Sequence, residues 1–217
     1  MIINLCFHGI GTIDHERESG ESRYWVTEAN FARILDDVRD RPQVRLSFDD
    51  GNRSDLTVAL PALSERGLTA SFFALAGRLG DPASLSPSDL RELRGAGMSI
   101  GSHGWTHAPW RGLDADQARR ELVDARAFLA EASDGAIEDA ALPLGRYDRR
   151  LLTRLRKAGY RTVFTSDRHP ARSSEWLQAR YSVTAQDSVE SIRSILTHRA
   201  GAQDARNLLA GAVKRIR

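Results

Sequence analysis

The chain is poor in cysteine, in lysine and in long apolar runs. Cys6 is the one cysteine among 217 residues, which excludes an internal disulfide and a cysteine-rich metal centre, so any catalytic metal must be held by His, Asp or Glu. No stretch approaches the ~20 apolar residues of a membrane-spanning helix. The segment from Met1 to His8 has neither a basic leader nor a small-residue cleavage site, so no secretory signal is expected. With the lone cysteine, this makes the expected location cytoplasmic. Charge of one sign is scarce too: 31 basic residues against 29 acidic ones leave +2, too little to make nucleic acid the expected partner. Lys157 and Lys214 are the only lysines, so 29 of the 31 basic residues are arginine, a bias of composition rather than a phosphate-binding surface.

What is present reads as one folded domain over 1–217, with 186–217 a helical C-terminal extension. The length suits one sizeable core. Strand-length apolar runs alternate with segments of helical period, the pattern of β-α units around a mostly parallel sheet. Seven strands are expected: Ile2–Phe7, Gln43–Phe48, Leu68–Leu75, Met98–Ser102, Asp139–Leu142, Arg161–Thr165 and Arg180–Thr184. Helices are expected after Thr27, after Ser54 with a kink at Pro61, after Ser86, from Asp114 to Ala132 and after Asp148. The long loops Gly9–Val26 and Asp167–Ala179 each follow a strand end and are candidate lids. The basic tail, with Leu208, Leu209, Val213 and Ile216, is expected to pack as a helix on the barrel. The alternative is an amphipathic helix that touches anionic lipid or a partner. Nothing in the pattern specifies an oligomeric state.

Two clusters carry chemistry. Leu46-Ser47-Phe48-Asp49-Asp50-Gly51 ends the second strand with adjacent carboxylates. One can bind a cation while the other takes a proton from an attacking water. His103 and His107 stand four residues apart at the end of the fourth strand. With Asp50 they would make a His₂Asp set that leaves positions open for water and substrate.

These residues resemble the polysaccharide deacetylases that share the NodB homology domain, also called carbohydrate esterase family 4. Ser47 to Gly51 matches the first motif, and His103-Gly104-Trp105-Thr106-His107 is similar to the second, with Gly104 in its hydroxyl position. Gly67-Leu68-Thr69-Ala70-Ser71-Phe72-Phe73 looks like a strand of the family between them. The resemblance implies a distorted seven-stranded β/α barrel, with Asp49 as general base and Asp50, His103 and His107 holding a divalent metal, usually zinc, with cobalt or nickel as alternatives. The third motif departs from the pattern. Ala141-Leu142-Pro143-Leu144-Gly145 keeps Pro143 and Gly145 but lacks the arginine that would orient the catalytic aspartate. Arg180 is the candidate substitute, with a surface salt bridge as its other role. Asp167 resembles the acidic fourth motif weakly.

For the general acid, His8 in Phe7-His8-Gly9-Ile10 resembles the N-terminal motif of exopolysaccharide-type members, and His198 in Leu196-Thr197-His198 is the alternative. His8 is preferred, because it ends a strand while His198 falls on a helical stripe. Amide groups of the Pro143–Gly145 loop are expected to stabilise an oxyanion. Trp25, Trp105, Trp110 and Tyr147 are candidate platforms for a sugar, with core packing as the alternative. The expected function is a metal-dependent N-deacetylase acting on an amino sugar in a glycan, a lipid-linked precursor or a conjugate. Its rivals are a metal-dependent amidase on a non-sugar amide or imide and a carbohydrate-binding pseudoenzyme.

Overall fold

The computed structural model describes residues 1–197 and 202–216. Its strands are β1 Ile3–Phe7, β2 Gly9–Ile10, β3 Trp25–Val26, β4 Val44–Asp50, β5 Ala70–Ala74, β6 Ser99–Ser102, β7 Asp139–Ala141, β8 Thr162–Thr165, β9 Leu177–Ala179 and β10 Tyr181–Ser182. Its helices are α1 Glu28–Val38, α2 Leu60–Glu65, α3 Pro87–Gly95, α4 Ala115–Arg119, α5 Ala125–Ala132, α6 Arg149–Lys157, α7 Val189–Thr197 and α8 Ala202–Ile216. His198, the alternative acid, lies outside the described residues.

The large sheet has the order β10-β1-β4-β5-β6-β7-β8-β9, and its pairings are parallel. β9 and β10 are halves of one extended run broken only at Arg180. The first half pairs with β8 and the second with β1, so the run closes the sheet into a barrel. This is the expected seven-stranded barrel with its last strand shared between two neighbours. The wall is thin between β6 and β7, which meet through the single pair Ser102 and Ala140.

Parallel neighbours need a crossover that returns the chain to the other end of the sheet. That requirement corrects one expectation. Because β9 runs parallel to β8, the Asp167–Ala179 segment drops to the N-terminal end, where Ala171 bridges Ile2, and it forms no lid over the strand ends. The Gly9–Val26 loop does stay at the C-terminal end.

Local sequence accounts for the helices. Thr27 caps α1 by accepting from Asn30 N–H, and Phe31, Ile34, Leu35 and Val38 turn one buried face to the barrel. Phe31 meets Phe7 edge-on at 5.1 Å, and Phe48 stacks on Phe72 at 4.7 Å. Each fully buried phenylalanine contributes about 2–3 kcal/mol. Ser86 and Asp89 form a capping box with Pro87 in the first turn of α3. At Pro61 a wide π-turn, Asp55–Ala59, precedes the helix, which accommodates the missing N–H. A second π-turn, Arg120–Asp124, divides the long helix into α4 and α5. Phe128 on α5 is 39% exposed and leans on Trp105.

Candidate active site

The alternation of β4 sends Leu46 and Phe48 outward to the helices and Ser47 and Asp49 into the barrel. Asp50 should then face outward again. Instead its backbone is left-handed, with φ 76°, and both carboxylates wall one cleft of about 320 Å³ at the C-terminal end of the barrel. His103 reaches the same cleft from the end of β6, and His107 joins it after a turn in which its own φ is 61°. Two of the three candidate ligands thus sit in a backbone region that non-glycine residues rarely adopt, a strain typical of functional sites.

Asp50 Oδ1 lies 3.6 Å from His103 Nε2 and 3.5 Å from His107 Nε2. Asp50 Oδ1 is buried without a hydrogen-bond partner in the protein. Such separations are long for hydrogen bonds but match the edges of about 3.3–3.4 Å that tetrahedral zinc bonds of 2.0–2.1 Å imply. The other ring nitrogens are held in place: His103 Nδ1 bonds Ala141 O at 2.9 Å, and His107 Nδ1 bonds Glu18 Oε2 at 2.6 Å. Those contacts aim both Nε2 atoms at Asp50. Burial, only partly offset by Asp49, brings His103 down to about 4, so it is neutral near pH 7 and free to ligate. Burial raises the Asp50 carboxyl, but the three imidazoles His8, His103 and His107 outweigh this and hold it below its usual value. The residues present fit a divalent metal.

Asp49 has a different partner. Arg180 Nη1 and Nη2 donate to its two carboxylate oxygens at 2.7 and 2.6 Å, and Nη1 also donates to Ser47 Oγ at 3.1 Å. The guanidinium lies beside the rings of Phe73 and Phe164 and is 2% exposed. Burial would raise the Asp49 carboxyl, yet the Arg180 charge and then His103 hold it well below the usual carboxylate range. Arg180 is therefore no surface salt bridge, and with its fork spent on Asp49 it has little left for a substrate.

His8 lines the cleft and packs against the Tyr24 ring, tilted by 32° with ring centres 4.7 Å apart. Its Nδ1 is buried without a partner, and its ring comes within 4.8 Å of Asp49. Cys6 shares this corner, but burial pushes its thiol well up, which keeps it a neutral bystander.

The remaining candidates divide. Gly145 lines the cleft with Leu142 and Leu144. Gly145 N–H donates to Leu142 O at 3.2 Å, so this amide is committed to the turn, and Pro143 has none to offer. The aromatic platforms are corrected. Trp110 is 1% exposed in the core, and Tyr147 is buried with its hydroxyl donating to Asp167 at 2.6 Å. Trp105 covers Gly77 and packs beside Phe128, and Trp25 covers Gly9. Each fills a space its own neighbours leave, and none lines the cleft. Tyr24 is the aromatic ring that does.

Glu18 and Glu121 were not foreseen. Buried Glu121 accepts from Trp105 N–H at 2.7 Å and Thr106 Oγ1 at 2.6 Å, fixing the loop between the two histidines. A Cβ at Gly104, where φ is +89°, would stand 2.5 Å from that carboxylate, so glycine there leaves room for Glu121. No local pattern marks either glutamate. The length of the first loop is the one hint of Glu18.

A larger cavity of about 490 Å³ opens at the opposite end of the barrel among Asn4, Arg45, Ser71, Asp139 and Gln178. It gathers no ligating set among the described residues.

The fold resembles Streptococcus pyogenes deacetylase PplD in complex with acetate, with a TM-score of 0.79 and 21% identity over 89% of this chain and 97% of that one. IcaB from Ammonifex degensii gives 0.73 and 22%, over 89% and 96%. In sequence, the chain is 26% identical to Bacillus subtilis YxkH, a protein named for the polysaccharide deacetylases, across 76% of this chain and 60% of that protein. The chain spans 60% and 47% of the lengths of the curated relatives it matches. The family model for polysaccharide deacetylase matches residues 36–163, more than half of the sequence, and the chain belongs to that family.

Proposed function

We propose that this chain is a metal-dependent hydrolase that removes N-acetyl groups from an amino sugar in a glycan. The observation that carries the reading is the pairing of an orphaned ligand set, Asp50, His103 and His107, with a separately charged base, Asp49, in one cleft. A divalent ion held by the three ligands, zinc or alternatively cobalt or nickel, supplies Lewis acidity toward the acetamide carbonyl. Asp49, kept ionised by Arg180, takes a proton from the attacking water. The Leu144 amide, at the cleft wall with φ 55°, is placed in this reading as a donor to the developing oxyanion. His8 protonates the departing amine from the strand end of β1. Tyr24 offers an aromatic face to the sugar.

The Arg180–Asp49 pair argues against a pseudoenzyme, because binding alone needs no base with a dedicated countercharge. The test is acetate release from a panel of acetylated chito-oligosaccharides and simple acetamides, before and after metal stripping. Release from the sugars, lost on stripping and restored by zinc, supports the proposal. Release confined to the acetamides, or unaffected by stripping, rejects it.

A further inference from the structure

α8 turns its polar side to the protein and its apolar side to solvent. Asn207 Nδ2 donates to Arg168 O at 2.9 Å, buried Gly211 sets its carbonyl oxygen 3.5 Å from the Tyr147 hydroxyl, and Lys214 Nζ donates to Asp167 Oδ1 at 2.6 Å. These three positions share one helix face. The opposite face presents Leu208, Leu209, Val213 and Ile216, which are 52%, 67%, 48% and 76% exposed. A surface helix ordinarily shows the reverse arrangement, and a contiguous aliphatic stripe of this kind marks a surface that something covers.

The surroundings are basic. At 100° per residue, Arg206 and Arg215 fall on opposite edges of the stripe. α6 packs against α8 and carries exposed Arg149, Arg150 and Lys157. Among the described residues none of these five pairs with a carboxylate. A second copy would set basic against basic. Apolar side chains ringed by arginine instead complement acyl chains beneath anionic headgroups.

The helix is also tied to the mouth of the cleft. Its anchors Tyr147 and Asp167 stand in the loops after β7 and β8, which contribute Leu144, Gly145, Arg146 and Ser166 to the cleft wall. Leu144, 52% exposed, adds a further aliphatic group there.

We propose that the outward face of α8, with the basic face of α6, docks on an anionic lipid surface, and that the amino sugar processed in the cleft is presented there on a lipid anchor. The substrate half rests on the deacetylase reading above; the docking half does not.

The experiment is co-sedimentation of the full chain with vesicles of phosphatidylcholine alone and of phosphatidylcholine mixed with phosphatidylglycerol, at low and high salt. Binding to the mixed vesicles should be at least ~10-fold tighter than to the neutral ones, and salt should weaken it. The double variant Leu209→Asp/Ile216→Asp and the double variant Arg149→Glu/Arg150→Glu should each weaken it at least ~10-fold. All four positions are exposed, so melting temperature and acetate release from a free acetylated oligosaccharide should match wild type. On the same sugar carried by a lipid in mixed vesicles, the aspartate variant should lose ~10-fold or more. Absence of wild-type binding, or equal binding by the variants, overturns the docking. A dimer dispersed by the aspartate variant, without vesicle binding, assigns the face to a second copy and also overturns it. Vesicle binding without acetate release from any amino sugar overturns the substrate half and the deacetylase reading, and leaves the docking established.

Discussion

Arg180 and Asp49, 131 residues apart, join through two parallel hydrogen bonds inside the barrel. The arginine occupies the point where the closing strand changes partner from β8 to β1, so closure of the barrel and the pairing of Asp49 with its countercharge are one event. Arg180→Met should keep the metal and lower turnover roughly 10²-fold or more. Because Arg180 holds the Asp49 carboxyl low, its removal should move the acidic limb of the pH–rate profile to higher pH. The variant also leaves a buried carboxylate uncompensated, at a cost of about 3–5 kcal/mol, so profiles are compared below its melting temperature. An unmoved acidic limb would contradict this role.

Glu18 should act through His107. Glu18→Gln keeps the shape but weakens the contact that orients the ring, and metal affinity should fall about 10–100-fold. His107→Ala should lose nearly all bound metal. Competition against a graded chelator measures both, and wild-type affinity in Glu18→Gln would remove Glu18 from the site.

For the acid, His8→Ala should depress turnover far more than metal content, while His198→Ala leaves both near wild type. Full activity in His8→Ala would reject His8.

Asp55 offers a test in stability. It is wholly buried, both its oxygens lack partners, and burial, reinforced by Asp50 and Asp49, pushes its carboxyl well up. The folded state then holds the proton more tightly than the unfolded state, so this contribution is full below the unfolded value of about 3.9 and is lost as pH rises toward the folded value. Asp55→Asn should therefore melt a few °C above wild type at about pH 8, with the gap closing as pH falls. Melts of the metal-free proteins decide it. A variant less stable than wild type at the higher pH would show that the carboxylate is compensated.

What the sequence determined by itself was local. Strand runs and helix caps are written in neighbouring residues, so Thr27, Ser86 and Asp148 mark helix starts that the structure keeps. Asp49-Asp50-Gly51 and the four-residue spacing of the histidines also lie within single turns, which is why one candidate site was legible from them. Closure of the barrel decided the rest. It alone brings Arg180 to Asp49 and Glu18 to His107, contacts that span 131 and 89 residues and leave no periodic trace. It also set the fate of the aromatic residues. A tryptophan beside a strand end reads the same whether it faces a cleft or covers a glycine, and the packing around Gly77 and Gly9 laid Trp105 and Trp25 over those glycines. The parallel pairing of β8 and β9 likewise turned a supposed lid into a crossover, because strand direction is a relation between segments and not a property of either one.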